Sequence, residues 1–473
     1  ETASSPSTTT SSTTTTTVAP TTTSPPSPAL AWAPCGTHQC ASLDVPLDYG
    51  QPVGPHIAVA LVRRQSSGPG TRIGSLVLNP GGPGESGLLN FDKDLSVLPA
   101  GLLARFDIVG FDPRGVGQTS PVHCGAGADG TGPGPDPVPE TAAAREALLD
   151  ADRRYAQGCI QQSGALLLAH VGSLDVARDL EHLRAALGDE GLNYLGLSYG
   201  SLLGATYADL FPTHVRAMVL DGILEPSLPT DALAGAQAVG FEHSLDAFYA
   251  WCVPSTCAWH PSGDPHQAFR SLVASVRSHP IGQLGPGELY TATFGTLYAQ
   301  SFWPSLGRAL GALAQGDAGP MLGLYNGYER TNDPSFSTDA NNAITCLDHP
   351  VTRDPARYPQ YAAAAASAAP DFGPLFAWGG LSCAVWPVPD SALRAPHQVH
   401  APGSGPILVV GTRNDPATPY RWAQSTAAAL VHGGLLTREG VDHVAIFTSG
   451  CVRAADEAVL VDLRLPEPGA VCA

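Results

Sequence analysis

The chain reads as an α/β protein: a mostly parallel central sheet covered by helices, interrupted by an inserted, mainly helical lid. Three observations predict this. Strand-length apolar runs alternate with helical periodicities in the β-α-β rhythm that builds parallel sheets. Two of those runs empty into conspicuous glycine-containing loops. The rhythm then lapses between about Glu225 and Val399 and resumes afterwards. A chain of 473 residues is long enough to bury a large core. The predicted division is a linker over 1–34, a first core segment over 35–225, a lid over 226–399 and a second core segment over 400–473.

Taken in order, residues 1–30 are Ser/Thr/Pro-rich, nearly uncharged and poor in large apolar groups. They cannot offset chain entropy, so disorder is expected, as in a surface linker or a tether to the cell envelope. No initiator methionine, signal peptide or lipidated N-terminal cysteine is present, which predicts a mature or trimmed chain. ASLDVPLDY and HIAVALVRR, parted by GQPVG, read as two strands. A buried strand over 75–78 runs into NPGGPGESG, and FDIVGF into DPRGVGQTSP. Val176, Leu180, Leu183 and Leu187 fall at helical spacing behind Ser173, a candidate N-cap. LNYLGLS is then a strand, SLLGATYADLF a helix and VRAMVLDG a strand. After the lid, GPILVVG is a strand, a helix runs to about Leu430, a strand covers 435–438 and a last helix covers 454–463.

Composition narrows the function classes. A net charge of -18 argues against binding a nucleic-acid backbone or an anionic membrane surface. No run of 18 or more large apolar residues occurs, so no transmembrane segment is expected. Ten cysteines without a CxxC or a Cys/His cluster favour disulfides over zinc, hence an oxidising, extracytoplasmic compartment. Their order suggests Cys35 with Cys40, Cys124 with Cys159, Cys252 with Cys257, Cys346 with Cys383 and Cys451 with Cys472. No metal or cofactor is expected; NPGGPGESG is not a phosphate loop, because no GKS or GKT follows.

Gly196-Leu197-Ser198-Tyr199-Gly200 satisfies GxSxG, a weak signal alone in a chain with 52 glycines. Its place between a predicted strand and a predicted helix makes Ser198 a candidate nucleophile on a strained turn. A serine hydroxyl needs a base, and the base an orienting carboxylate. Asp415 follows the strand ILVVG, and His443 follows LLTREG, both at the carboxyl edge where catalytic groups gather in such sheets. His432 lacks that loop position, and Asp442 points away from its neighbour His443. Thr418 is read as an N-cap ahead of Pro419, or as a contact of the acid. Acyl transfer also needs oxyanion donors: the backbone N–H of Gly81 or Gly82 supplies one, with Gly82 preferred, and that of Tyr199 the other.

Together these motifs resemble the secreted tripeptidyl aminopeptidases of actinobacteria, α/β-hydrolase peptidases related to prolyl iminopeptidases. LDVPLDY, NPGGPGESG, FDPRGVGQTSP, GLSYGS, FPTHVRAMVLDG, ITCLDHP, both late loops and the C-terminal cysteine pair carry the resemblance from Cys35 to Cys472. It implies an α/β-hydrolase fold, a serine acyl-enzyme built on Ser198, Asp415 and His443, no metal, and cleavage of short peptides from a free N-terminus. The Ser/Thr-rich segment and Glu85, where a small residue is common, depart from the family pattern. A substrate ammonium calls for a carboxylate: Asp348 in ITCLDHP ranks first, then Glu85 and Glu225. Trp251 and Trp386 are read as core, with substrate subsites as the alternative. Two other functions fit the sequence: an esterase or lipase of the same fold, and a catalytically silent surface binding module.

Overall fold

The computed structural model describes residues 30–68, 70–125, 133–252, 257–329 and 333–473. The linker expected over residues 1–30 thus lies, but for Leu30, outside the described residues. Among the described residues ten strands form one sheet: β1 (Ala33–Cys35), β2 (His38–Pro46), β3 (His56–Arg64), β4 (Gly74–Asn79), β5 (Phe106–Phe111), β6 (Leu192–Leu197), β7 (Val215–Asp221), β8 (Ile407–Thr412), β9 (Gly433–Arg438) and β10 (Val471–Cys472). Their order is β1-β2-β3-β5-β4-β6-β7-β8-β9-β10, antiparallel from β1 to β5 and parallel from there on.

Burial explains the strand sequences. Every position of β4, β5, β6 and β8 is buried, as unbroken apolar runs require when helices cover both sheet faces. In β3 the buried Ile57, Val59 and Leu61 alternate with more accessible residues, the period of a strand with one solvated face. The predicted linker through residue 34 overruns an ordered strand, since β1 begins at Ala33 and the Arg63 guanidinium lies 4.1 Å over the Trp32 ring.

The helix Ser173–Leu187 buries Val176, Leu180 and Leu183 and ends at Gly188, whose φ of 75° suits glycine. Ser173 is not its N-cap. Gly172 holds that position, and Ser173 turns its hydroxyl to Asp348 instead, at 2.7 Å.

Between β7 and β8 the chain is helical, beginning with Thr230–Cys252. This insertion has its own core, with Phe241, Phe248, Trp259, Trp303 and Phe372 buried together. Trp386 belongs to the main core and Trp251 packs against the insertion's. The cysteines are joined as Cys35–Cys40, Cys124–Cys159, Cys252–Cys257, Cys346–Cys383 and Cys451–Cys472. Among the described residues no helix is long and apolar enough to cross a membrane.

Candidate active site

Strand β6 stops at Leu197 and the helix Tyr199–Leu210 starts at once, leaving Ser198 at φ 53° and ψ -121°. Non-glycine residues are rarely held there, and such strain gathers at functional sites. The flanking glycines are dictated by space. A Cβ on Gly196 would lie 2.3 Å from the Gly200 carbonyl oxygen, and one on Gly200 would lie 2.7 Å from the Asn79 carbonyl oxygen. The turn therefore folds onto itself and against the end of β4. The Ser198 N–H, donating to the Asp221 carbonyl at 2.8 Å, ties it to β7 as well.

Asp415 follows β8 and His443 follows β9. His443 Nδ1 lies 2.9 Å from each Asp415 carboxylate oxygen. Asp415 is buried and also accepts from the N–H groups of Ala417 and Thr418 and from Thr418 Oγ1, at 2.8–2.9 Å. Thr418 is thus a contact of the acid rather than an N-cap; the cap position of the helix Tyr420–Ala429 is Pro419. Burial pulls the His443 imidazole down, but the Asp415 charge and hydrogen bond outweigh it, and the group sits above its ordinary value.

Sequence reasoning passed over Asp221 and Gly222. The Asp221 carboxylate accepts from the N–H groups of Ala445 and Ile446 at 2.8–3.1 Å, pinning the loop in which Val444 takes φ 64°. Burial pushes Asp221 up to about 6, partly offset by those N–H groups. A Cβ on Gly222 would meet Thr418 Oγ1 at 3.2 Å and His443 Cε1 at 3.3 Å, so a larger residue would crowd the imidazole. The signal was in VLDG: an aspartate and a glycine ending a buried strand beside the nucleophile's own.

The NPGGPGESG turn packs directly on the elbow, because a Cβ on Gly81 would lie 2.5 Å from the Leu197 carbonyl and 3.3 Å from the Tyr199 nitrogen. The Gly81 N–H donates to Asn79 Oδ1 at 3.1 Å, while Gly82 lines the same cleft as Ser198. Of the two glycines considered, Gly82 is the one that lines this cleft. The insertion binds all three loops. Asn341 Nδ2 donates to the Pro83 carbonyl at 2.8 Å, Gln237 Nε2 to the Ala417 carbonyl at 2.8 Å, and the His443 N–H to the Tyr298 carbonyl at 2.8 Å.

The resulting cleft of about 470 Å³ brings together Ser198, His443, Gly82 and Glu85 under an aromatic wall that includes Tyr298, Phe302 and Phe447. Two of the three candidate acids lie elsewhere. Asp348, ranked first from sequence, is buried on another side of the elbow, where its oxygens accept from Ser173 and from Tyr199 Oη. Glu225 is buried against Ser227 and Ser425. Neither Asp348, ranked first, nor Glu225 lines the cleft of Ser198; of the three acids Glu85 does, and its charge also raises His443.

Among the described residues one group has the spacing of metal ligands, Glu242, His266 and Asp371 in the insertion. Arg270 Nη1 donates to Asp371 at 3.0 Å, and His266 bridges Asp371 and Asp246. An arginine cation already occupies the place next to that carboxylate.

A serine on a strand–turn–helix elbow, with an acid and a histidine on the loops after the later strands of a sheet in this order, is the architecture of the α/β hydrolases. The chain belongs to that family: the model described as "alpha/beta hydrolase fold" matches residues 74–449. It is 35% identical to "Serine protease Hip1" of Mycobacterium tuberculosis, over 93% of this chain and 90% of that protein. It is likewise 35% identical to "Carboxylesterase B" of the same species, over 92% and 86%, and 32% identical to "Tripeptidyl aminopeptidase" of Streptomyces lividans, over 92% and 83%.

Proposed function

We propose that this chain is an extracytoplasmic serine exopeptidase that releases short peptides from substrates with a free N-terminus. The observation carrying the reading is that Glu85 lines one cleft with Ser198 and His443, and its carboxylate is the group we assign to a substrate ammonium near the nucleophile. His443 Nε2, the ring nitrogen not facing Asp415, takes the Ser198 proton as the hydroxyl attacks the scissile carbonyl. The N–H groups of Gly82 and Tyr199 receive the oxyanion, a contribution on the order of 3 kcal/mol per donor. His443 then returns the proton to the leaving amine, and water repeats the sequence to free the acyl group. Similarity to a serine protease and a tripeptidyl aminopeptidase supports peptides as substrates. Five disulfides support an oxidising compartment, and the N-terminal segment suits an envelope tether.

The test pairs a peptide amide bearing a free N-terminus with its N-acetylated twin. The free peptide should be cleaved at least about tenfold faster, the loss of one charge-assisted contact; equal rates would remove the aminopeptidase claim. A second reading, ester hydrolysis, is favoured by the equally similar carboxylesterase. It would prevail if short acyl esters turned over while no peptide in a panel was cut.

A further inference from the structure

Part of the catalytic cleft is floored by bare backbone. The helix Gly319–Glu329 of the insertion presents Gly323, Leu324, Gly327 and Tyr328 to the cleft that holds Ser198. Positions spaced i, i+1, i+4 and i+5 make one face of a helix. Met321, two residues before Gly323 and so about 200° round the axis, is buried in the insertion's core instead. Gly323 and Gly327 are both exposed.

Packing does not account for these two glycines. Inside a helix, glycine is the least favourable residue after proline, so it calls for a reason. Gly295, in the neighbouring helix Pro286–Thr296, has one: a Cβ there would lie 2.4 Å from the Tyr328 ring. That gap lets Tyr328 settle between the helices, edge-on to Phe294 with ring centroids 4.9 Å apart. Gly323 and Gly327 are not among the residues with positive φ, and a Cβ on either would meet no atom within 4 Å. What they keep clear is the cleft itself.

The wall beside this floor is joined to Glu85. The Ser86 N–H donates to the Ser335 carbonyl at 2.8 Å and the Ser337 N–H to the Gly84 carbonyl at 3.0 Å, so Glu85 and Phe336 stand opposite each other in an antiparallel bridge. Residues paired in this way project to the same side, and both line the cleft. Phe336, Leu324 and the two glycines therefore give the cleft an apolar pocket on the Glu85 side.

We propose that this pocket takes the side chain of the substrate's N-terminal residue and selects a large apolar one, aromatic or leucine-like, over alanine. With the ammonium at Glu85, the side chain on the same carbon falls between Phe336 and the glycine floor. Its assignment to the N-terminal residue rests on the Glu85 reading above, whereas the preference for bulk rests on the floor.

Peptide amides Xaa-Ala-Ala-Ala with alanine, leucine or phenylalanine as Xaa, followed by chromatography with the whole protein, test the pocket. kcat/KM for the phenylalanine peptide should exceed that for the alanine peptide at least about tenfold. Gly323→Leu and Gly327→Leu introduce a strong helix former where nothing collides, so neither should lower the melting temperature. Each should cut the phenylalanine-to-alanine ratio at least about tenfold. A wild-type ratio near one, or an unchanged ratio in both folded variants, would overturn the proposal. A clear fall in melting temperature would return the glycines to packing and overturn it too; the wild-type ratio still decides if neither variant folds. N-acetylated twins keep the two readings apart. Equal cleavage of free and blocked peptides would remove the amine reading and the N-terminal assignment with it, while the ratio in the leucine variants would still decide the pocket. Should no peptide be cut, p-nitrophenyl 4-phenylbutyrate against p-nitrophenyl acetate supplies the ratio: a fall in the variants sustains the pocket, and no change overturns it.

Discussion

His443 works as a base only while neutral, and its pKa lies above the ordinary histidine value of about 6.5 because Asp415 outweighs burial. The acid limb of kcat/KM should therefore have its midpoint above about 6.5, with activity lost as pH falls through it. Asp415→Asn removes the charge that raises the imidazole and favours the wrong tautomer. It should move that midpoint down and lower kcat by about 10⁴-fold; steady-state rates across pH 5 to 9 check both. A midpoint below 6 in the wild type would mean that the Asp415 pair does not govern the base. At this scale the sequence carried Ser198, Asp415 and His443, since each sits on a loop that strand order brings to one edge. It did not carry which of the three candidate acids lies in the cleft of Ser198. Asp348 and Glu85 both lie in recognisable motifs, and only the packing shows that Ser173 and Tyr199 consume the first and the cleft receives the second.

Among elements, the turn between β6 and the following helix shows how a motif is a packing solution. Gly196→Ala would press a methyl within 2.3 Å of a backbone oxygen in the next turn of chain. It should cost about 1–3 kcal/mol in urea-induced unfolding and sharply reduce labelling by a fluorophosphonate probe. Stability at the wild-type level would show that the turn relaxes freely. The strands were legible because β4, β5, β6 and β8 are buried throughout and so read as unbroken apolar runs. Caps were less so. Ser173 and Thr418 are both good N-cap residues by chemistry, yet each has its hydroxyl claimed by a carboxylate, that of Asp415 three residues before Thr418 and, for Ser173, that of Asp348, 175 residues away. Local propensity has no access to a partner as remote as Asp348.

Across the molecule, burial raises several carboxyl groups. Asp94, Asp152 and Glu242 are pushed up to about 7, Asp221 to about 6, and Asp456, with neither oxygen bonded among the described residues, well above the usual range. A carboxyl whose folded pKa exceeds its unfolded value near 4 holds its proton better when folded, so it adds stability at low pH that is lost as pH rises through the folded value. His349 acts oppositely: burial lowers it to about 4, so its contribution fades as pH falls below about 6.5. Urea midpoints should therefore rise on acidification from pH 8 to about 6, and Asp456→Asn should flatten that slope. A midpoint that rises steadily toward pH 8 would contradict this ledger. The helical insertion, although visible in sequence as a lapse in rhythm, gave no hint that it hydrogen-bonds the loops carrying Pro83, Ala417 and His443. Those contacts join residues far apart in the chain and leave no local pattern.

The five disulfides span at most 37 positions, and each stays within the chain before the insertion that follows β7, within that insertion, or after it. A chain crossing a membrane from its N-terminus can therefore close every bridge soon after the second cysteine emerges, without waiting for distant sequence. Nicking the connections on either side of the insertion would leave three pieces that part in denaturant without any reductant.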